Sequence, residues 1–159
     1  MYNGLKTDDP LLGTFVHRRH IWKKERRPRA QVFLPSGTVD LEEKSRFTVE
    51  VPSPGEAAGA KRRETFEWRP TRGPAVRMLG RHSGFKLVRL ATDIVSGPSG
   101  PAPSGGGEAV AVLAFYGVRW RKAAAFRFQG SGAQGVLGRD WEAAAVMTAI
   151  GLWDKHERE

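Results

Sequence analysis

Residues 130–135 have a residue pattern that binds phosphate in other proteins. They read Gly-Ser-Gly-Ala-Gln-Gly, the glycine spacing of a dinucleotide-binding turn between a strand and a helix. That turn requires a second parallel strand after the helix, with an acid to hold the ribose, whereas here the sequence reaches Glu159 directly after the predicted helix. Val136 stands where a phosphate-binding loop would need lysine. We therefore interpret this stretch as a tight turn whose glycines supply positive φ and close backbone approach, and we predict no cofactor.

The histidines do not form a convincing metal site. His17 and His20 have the spacing of a ligand pair on a helix, but their segment is predicted to be extended and is surrounded by cations. His82 and His156 are predicted to lie on the surface. The chain has no cysteine, which excludes disulfides, iron–sulfur clusters, thiolate zinc sites and thiol catalysis. We predict no metal site.

No catalytic arrangement is apparent either. Ser131 lacks the strand–turn–helix setting of a nucleophilic serine. Asp40, Glu42 and Glu43 cluster in a polar segment that we interpret as a solvated turn, and general acid–base catalysis needs a carboxylate in a shaped pocket. We therefore expect a protein that is not an enzyme.

The charge of the chain is unevenly distributed. It has 26 Lys and Arg against 17 Asp and Glu, a formal net charge of +9. Residues 17–29 hold seven of these cations and one acid, and residues 61–89 hold nine cations and two acids. The seven cations in the first segment are the candidate anion-binding residues: Arg18, Arg19, Lys23, Lys24, Arg26, Arg27 and Arg29.

Three interpretations of this basic segment stay open. The cations could contact the phosphates of an anionic membrane while Ile21 and Trp22 enter the headgroup layer, where each Lys or Arg contributes about 1 kcal/mol. The same composition suits nucleic-acid backbone contact or a nuclear-import signal. It also suits a solvated surface that keeps the protein soluble.

Short strand-like runs dominate the first three quarters of the chain. The predicted strands cover residues 11–18, 30–34, 46–51, 64–69, 75–79, 85–91, 109–116, 117–120 and 124–129. Alternation of apolar and polar residues is clearest in Phe47, Val49 and Val51 and in Phe66 and Trp68, which is typical of half-buried strands.

The strand at residues 109–116 is apolar on both faces, so we expect it to be covered on each side. Two stretches rich in Pro, Gly and Ser, at about 52–61 and 97–107, predict flexible surface loops inside one domain that spans residues 1–159.

The last part of the chain predicts a helix at about residues 139–157. Asp140 can cap it, and cations occupy its last turn. Residues 143–153 are apolar all the way round, and such a helix is normally buried on every side. Many short strands followed by this helix predict a mainly β protein: a closed antiparallel β-barrel wrapped around a hydrophobic C-terminal helix, with Val146, Met147 and Ile150 in its interior.

The order of four sequence blocks resembles the fungal branch of the tubby C-terminal-like superfamily, which also includes LURP-one-related proteins and phospholipid scramblases. The blocks are residues 66–69 (FEWR), 84–90 (GFKLVRL), 108–112 (EAVAV) and 126–159. The resemblance covers residues 64–159 and extends only loosely over 1–63. It implies the same barrel around a C-terminal helix, with further short strands expected in residues 8–12, 20–24 or 38–43.

The resemblance also implies a function, because tubby proteins are associated with phosphoinositide binding. The basic segment cannot be aligned residue by residue with the tubby lipid site, so no site is carried over. No targeting segment is visible, and the longest apolar stretch, residues 143–153, is shorter than the roughly 20 residues of a membrane span. We expect an intracellular monomeric binding or adaptor module, peripheral to a membrane that carries anionic phospholipid; a nucleic-acid-binding or nuclear adaptor protein is the alternative.

Overall fold

The computed structural model describes residues 14–17, 30–42, 45–53, 59–90, 107–116 and 124–157. Within these ranges the strands are β1 (Thr14–His17), β2 (Ala30–Leu34), β3 (Gly37–Leu41), β4 (Arg46–Pro52), β5 (Lys61–Thr71), β6 (Gly84–Leu90), β7 (Ala109–Phe115) and β8 (Ala124–Phe128). The helices are α1 (Pro74–Arg77), α2 (Gly130–Ala133) and α3 (Arg139–Glu157). The predicted strand at 117–120 lies outside the described residues.

The strands form one antiparallel sheet in which each strand pairs with the next along the chain. Seven strands of this sheet curl through 200° into an open half-barrel. β1 and β8 are the two edges of the sheet, and within the described ranges they do not pair with each other. The prediction of a mainly β, antiparallel protein with a C-terminal helix is confirmed, and closure into a full barrel stays a prediction.

The apolar side chains that alternate with polar ones along β4 and β5 point into the half-barrel. Phe47 on β4 pairs with Phe66 on β5, and their rings stack with centroids 5.7 Å apart. Val49, Val51 and Trp68 follow at two-residue intervals on the same face, and all five side chains are buried. This confirms the predicted inner face.

Helix α3 packs against the inner face of the sheet and contacts β1, β2, β4 and β7. Most of its side chains between Trp141 and Leu152 are buried, but the predicted burial on every side is not complete, because Glu142, Val146 and Ile150 form one half-buried stripe along the helix. Met147 is buried, but Val146 and Ile150 are only half buried. These two line an apolar cleft of about 210 Å³ between α3 and strands β7 and β8, so the predicted interior position holds fully only for Met147.

A buried hydrogen bond joins the sheet to the helix. The indole Nε1 of Trp68 on β5 donates to the hydroxyl oxygen of Thr148 on α3 over 3.0 Å. That hydroxyl donates in turn to the carbonyl oxygen of Ala145, 3.1 Å away. Trp68 and Thr148 are almost completely buried, so Thr148 supplies the acceptor that the indole N–H would otherwise lack.

Strand β7 is covered on both faces, as predicted. Its inner face belongs to the main core, and on its outer face Val112 and Ala114 are also buried. Helix α1 contacts this strand, and its Val76 is completely buried. A small second core therefore lies outside the half-barrel.

The strand predicted at residues 75–79 is wrong, because this segment forms α1 and the turn after it. Pro74 occupies the start of the helix, where its fixed φ is already helical. The amide of Met78 donates to the Pro74 carbonyl over 3.0 Å, and Gly80 ends the turn with a φ of 77°. These local signals outweigh the strand-like apolar residues between them.

Three smaller predictions are corrected. Asp40 is an exposed residue of strand β3 rather than part of a turn, and β3 is one of the additional strands expected at 38–43. Asp140 does not cap α3, because the helix begins at Arg139. The glycine-rich turn contains the helical turn α2, although its close approach is confirmed: a Cβ on Gly132 would lie 2.3 Å from the Val110 carbonyl oxygen.

We predict that Thr148→Val destabilises the protein by about 1–3 kcal/mol, because the valine leaves the buried indole N–H of Trp68 without an acceptor. Thr148→Ser keeps the hydroxyl and is the matched control. Urea unfolding followed by tryptophan fluorescence measures both variants. Equal unfolding free energies for the valine and serine variants would contradict the role of this hydrogen bond.

Candidate anion-binding end of the sheet

The seven predicted anion-binding residues, Arg18 to Arg29, lie outside the described residues. Both flanks of their segment are described: His17 at the end of β1 pairs with Ala30 at the start of β2. The two residues that flank the segment therefore lie at the same end of the sheet.

The antiparallel order places alternate connections at the same end of the sheet. The strand ends that flank the connections of β1 to β2, β3 to β4, β5 to β6 and β7 to β8 share one end of the sheet, which we call the basic end. These connections comprise residues 18–29, 42–45, 72–83 and 116–123. The remaining connections, together with α2 and the start of α3, belong to the opposite end.

The connections at the two ends of the sheet differ sharply in their content of charged residues. Those at the basic end contain fourteen Lys and Arg and three acids, whereas residues 35–36, 53–60, 91–108 and 129–138 at the opposite end contain no Lys or Arg. Sequence reasoning identified residues 18–29 but missed the contribution of 116–123, which holds Arg119, Arg121 and Lys122. Counting charge over alternate connections of a predicted antiparallel meander would have revealed it.

The described core of the basic end is the α1 corner, defined as residues 72–83. Arg81 fixes the corner to β7: its Nε donates to the Phe115 carbonyl oxygen over 2.9 Å, and its guanidinium carbon lies 4.8 Å from the centre of the Tyr116 ring. The Tyr116 hydroxyl donates back to the Leu79 carbonyl. Arg72 and Arg77 are exposed and leave the corner positively charged.

A cleft of about 450 Å³ lies at the basic end, between the α1 corner and the last turn of α3. Phe85 and Phe115 contribute aromatic surface, and the ring of His156 stacks on Phe115 with centroids 4.7 Å apart. Arg72 also lines this cleft. His156 is an exposed residue, as predicted, and so is His82.

The two acids within residues 61–89, Glu64 and Glu67, are both buried and both ion-paired. On the inner face, Glu64 accepts hydrogen bonds from Arg89 at 2.5 and 2.6 Å and from Arg62 at 2.6 Å. Burial raises the pKa of the Glu64 carboxyl, but the hydrogen bonds and charges of Arg89 and Arg62 outweigh burial and hold that pKa below its usual range. Glu64 is therefore an anion held ionised by two guanidinium groups.

Glu67 has the same arrangement on the outer face. Its Oε2 accepts from Arg46 at 3.0 Å and from Arg69 at 3.3 Å. Burial raises the pKa of the Glu67 carboxyl. The two guanidinium groups have a larger, opposite effect, so this pKa lies below its ordinary value. One buried acid is thus shared by two cations in each case, which explains how the segment keeps its positive surplus.

A row of cations crosses the outer face near the α1 corner. Arg69 on β5 lies directly opposite Lys86 on β6, which aligns through Val112 on β7 with Arg127 on β8. Like charges directly opposite each other destabilise a sheet unless an anion lies between or near them. This row extends the positive surface from the basic end onto the outer face.

Among the described residues, no three His, Asp or Glu side chains are placed to share a metal ion.

No helix in the described part of the chain has the length and apolar content needed to cross a bilayer.

Comparison with known proteins gives no match to any protein-family model, curated protein or solved structure. The curled antiparallel sheet with its packed C-terminal helix is compatible with the tubby-like fold that the sequence resembles.

We predict that the free energy of unfolding falls as the pH is lowered from about 5 to about 3, because Glu64 and Glu67 stabilise the fold only while ionised. Their folded pKa values lie below the ordinary 4.5, so this stability is present above 4.5 and is lost as the pH falls through the folded values.

Urea unfolding across this pH range measures the effect. Glu64→Gln removes one titrating group and should flatten the pH dependence, while Glu50→Gln, at an exposed position of the neighbouring strand β4, should leave it unchanged. A Glu64→Gln variant with the pH dependence of the parent protein would contradict the prediction.

Proposed function

We propose that the protein is a non-enzymatic, intracellular binding or adaptor module of the tubby-like class, which attaches to anionic phospholipid through its basic end. The observation that carries the proposal is the division of charge between alternate connections, with fourteen cations at one end of the sheet and none in the connections at the other. The residues that flank the candidate segment Arg18 to Arg29, His17 and Ala30, lie at this end of the sheet.

Electrostatics favours a flat anionic partner. Attraction to an anionic leaflet falls off within a Debye length, about 8 Å at physiological ionic strength. Cations spread around a sheet cannot all reach one plane, whereas cations gathered at one end can. Because each Lys or Arg near the surface contributes about 1 kcal/mol, even half of the basic end would supply useful membrane affinity.

The family resemblance supports the same proposal from the sequence. Tubby-like proteins are associated with phosphoinositides, and the half-barrel with its packed helix is compatible with their fold. We further propose that the barrel is closed in the complete chain, as in that family. Phosphoinositide headgroups are then the expected lipid, because their several phosphates match a dense group of cations.

We predict that the protein sediments with vesicles of phosphatidylcholine and a phosphoinositide, that it does not sediment with phosphatidylcholine alone, and that salt weakens the binding. Lys23→Glu/Lys24→Glu should weaken binding strongly. The matched control Arg63→Glu/Arg139→Glu makes the same charge change at exposed positions near the opposite end and should weaken it much less. Vesicle co-sedimentation measures all three proteins.

Duplex DNA or RNA provides the competing arm of the test. A protein that ignores phosphoinositide vesicles at low salt but binds duplex with a steep logarithmic salt dependence is a nucleic-acid-binding protein, and the lipid proposal is then wrong.

A further inference from the structure

We infer that the α1 corner enters the lipid surface, with Met78 as an apolar tip that inserts between headgroups while Arg72 and Arg77 contact lipid phosphates. The inference rests on the proposed function and assigns the insertion point to described residues, outside the segment 18–29 that the sequence singled out.

Met78 is the most exposed large apolar side chain among the described residues. Its relative exposure is 70%, against 52% for Val136, 42% for Phe33 and 39% for Val16. An exposed methionine gains free energy when it leaves water for an apolar phase, since its side chain is flexible and unbranched. At the end of the sheet where the cations are gathered, that phase can be the boundary of a bilayer.

The backbone beneath Met78 is held firmly, so the exposure is built into the fold. The amide of Leu79 donates to the Val76 carbonyl over 3.0 Å, and the amide of Gly80 donates to the Arg77 carbonyl over 2.8 Å. Val76 is completely buried on α1, which contacts β7. A side chain presented on a preorganised turn inserts without the entropic cost of ordering that turn.

The charges beside Met78 suit the headgroups of anionic lipids. Arg72 and Arg77 are exposed, and neither lies within ion-pair distance of a carboxylate in the described ranges. Arg77 directly precedes Met78 in the chain, so a cation and an apolar group meet the same surface together. Contacts to a nucleic-acid backbone would use the two arginines but would leave Met78 in water, so the pairing favours lipid.

The absence of cysteine from the sequence makes a direct test possible. Met78→Cys carries a single environment-sensitive fluorophore such as NBD, and Val136→Cys, at an exposed position of the opposite end, carries the same probe as the control. On mixing with vesicles of phosphatidylcholine and phosphatidylserine, or of phosphatidylcholine and a phosphoinositide, the emission of the probe at position 78 should increase and shift to the blue. The probe at position 136 should stay unchanged.

Binding by unlabelled variants tests the same contact. Met78→Gln should weaken vesicle binding about tenfold, as expected from losing much of one apolar side chain's transfer free energy. Met78→Leu should bind as the parent protein does. Arg77→Gln should weaken binding several-fold. The matched controls Val136→Gln and Arg139→Gln remove an apolar group and a cation at the opposite end and should have little effect.

The outcomes separate this inference from the proposed function. If the parent protein sediments with anionic vesicles but position 78 stays in water and Met78→Gln binds normally, the inference is overturned while the proposed function stands. A blue shift at position 136 overturns it as well, because the opposite end would then face the lipid. If the parent protein does not sediment at all, or binds only duplex, the proposed function itself fails.

Discussion

The structure depends on one constraint: helix α3 has no polar face. From Trp141 to Leu152 most of its side chains are buried and only Glu142, Val146 and Ile150 are half buried, whereas a flat sheet can cover only one side of a helix. The sheet meets this constraint by curling, so that strands as distant in sequence as β1 and β7 contact the same helix. The hydroxyl of Thr148 then accepts a hydrogen bond from the Trp68 indole N–H, which burial would otherwise leave unpaired.

Much of the fold could be predicted from local pattern because the pattern has a direct physical cause. Phe47, Phe66 and Trp68 alternate with polar neighbours because one face of each strand is buried, and the helix could be identified because residues 143–153 are apolar on all sides. The strand predicted at residues 75–79 is wrong, because apolar content indicates burial but does not distinguish a strand from a short helix. Pro74 and Gly80 carry the distinguishing information.

The candidate site was only partly predictable, for a different reason. Residues 18–29 stand out because their cations are consecutive in sequence. The α1 corner and residues 116–123 carry fewer cations each, and the strand ends that flank them meet at one end of the sheet only through its pairing order. Likewise, the sequence shows that Glu64 and Glu67 are the two acids among the nine cations of residues 61–89. Only the fold shows that each carboxylate pairs with two guanidinium groups.

The alternation of connections also bears on where the chain can change in length. The eighteen residues between β6 and β7 belong to the end without cations in its connections, and a seven-residue strand such as β7 places the two ends about 23 Å apart. Insertions and deletions there would alter the length of the chain without moving the strand ends that flank the connections of the basic end. A reporter domain inserted between β6 and β7 would therefore join the sheet at the end opposite those connections.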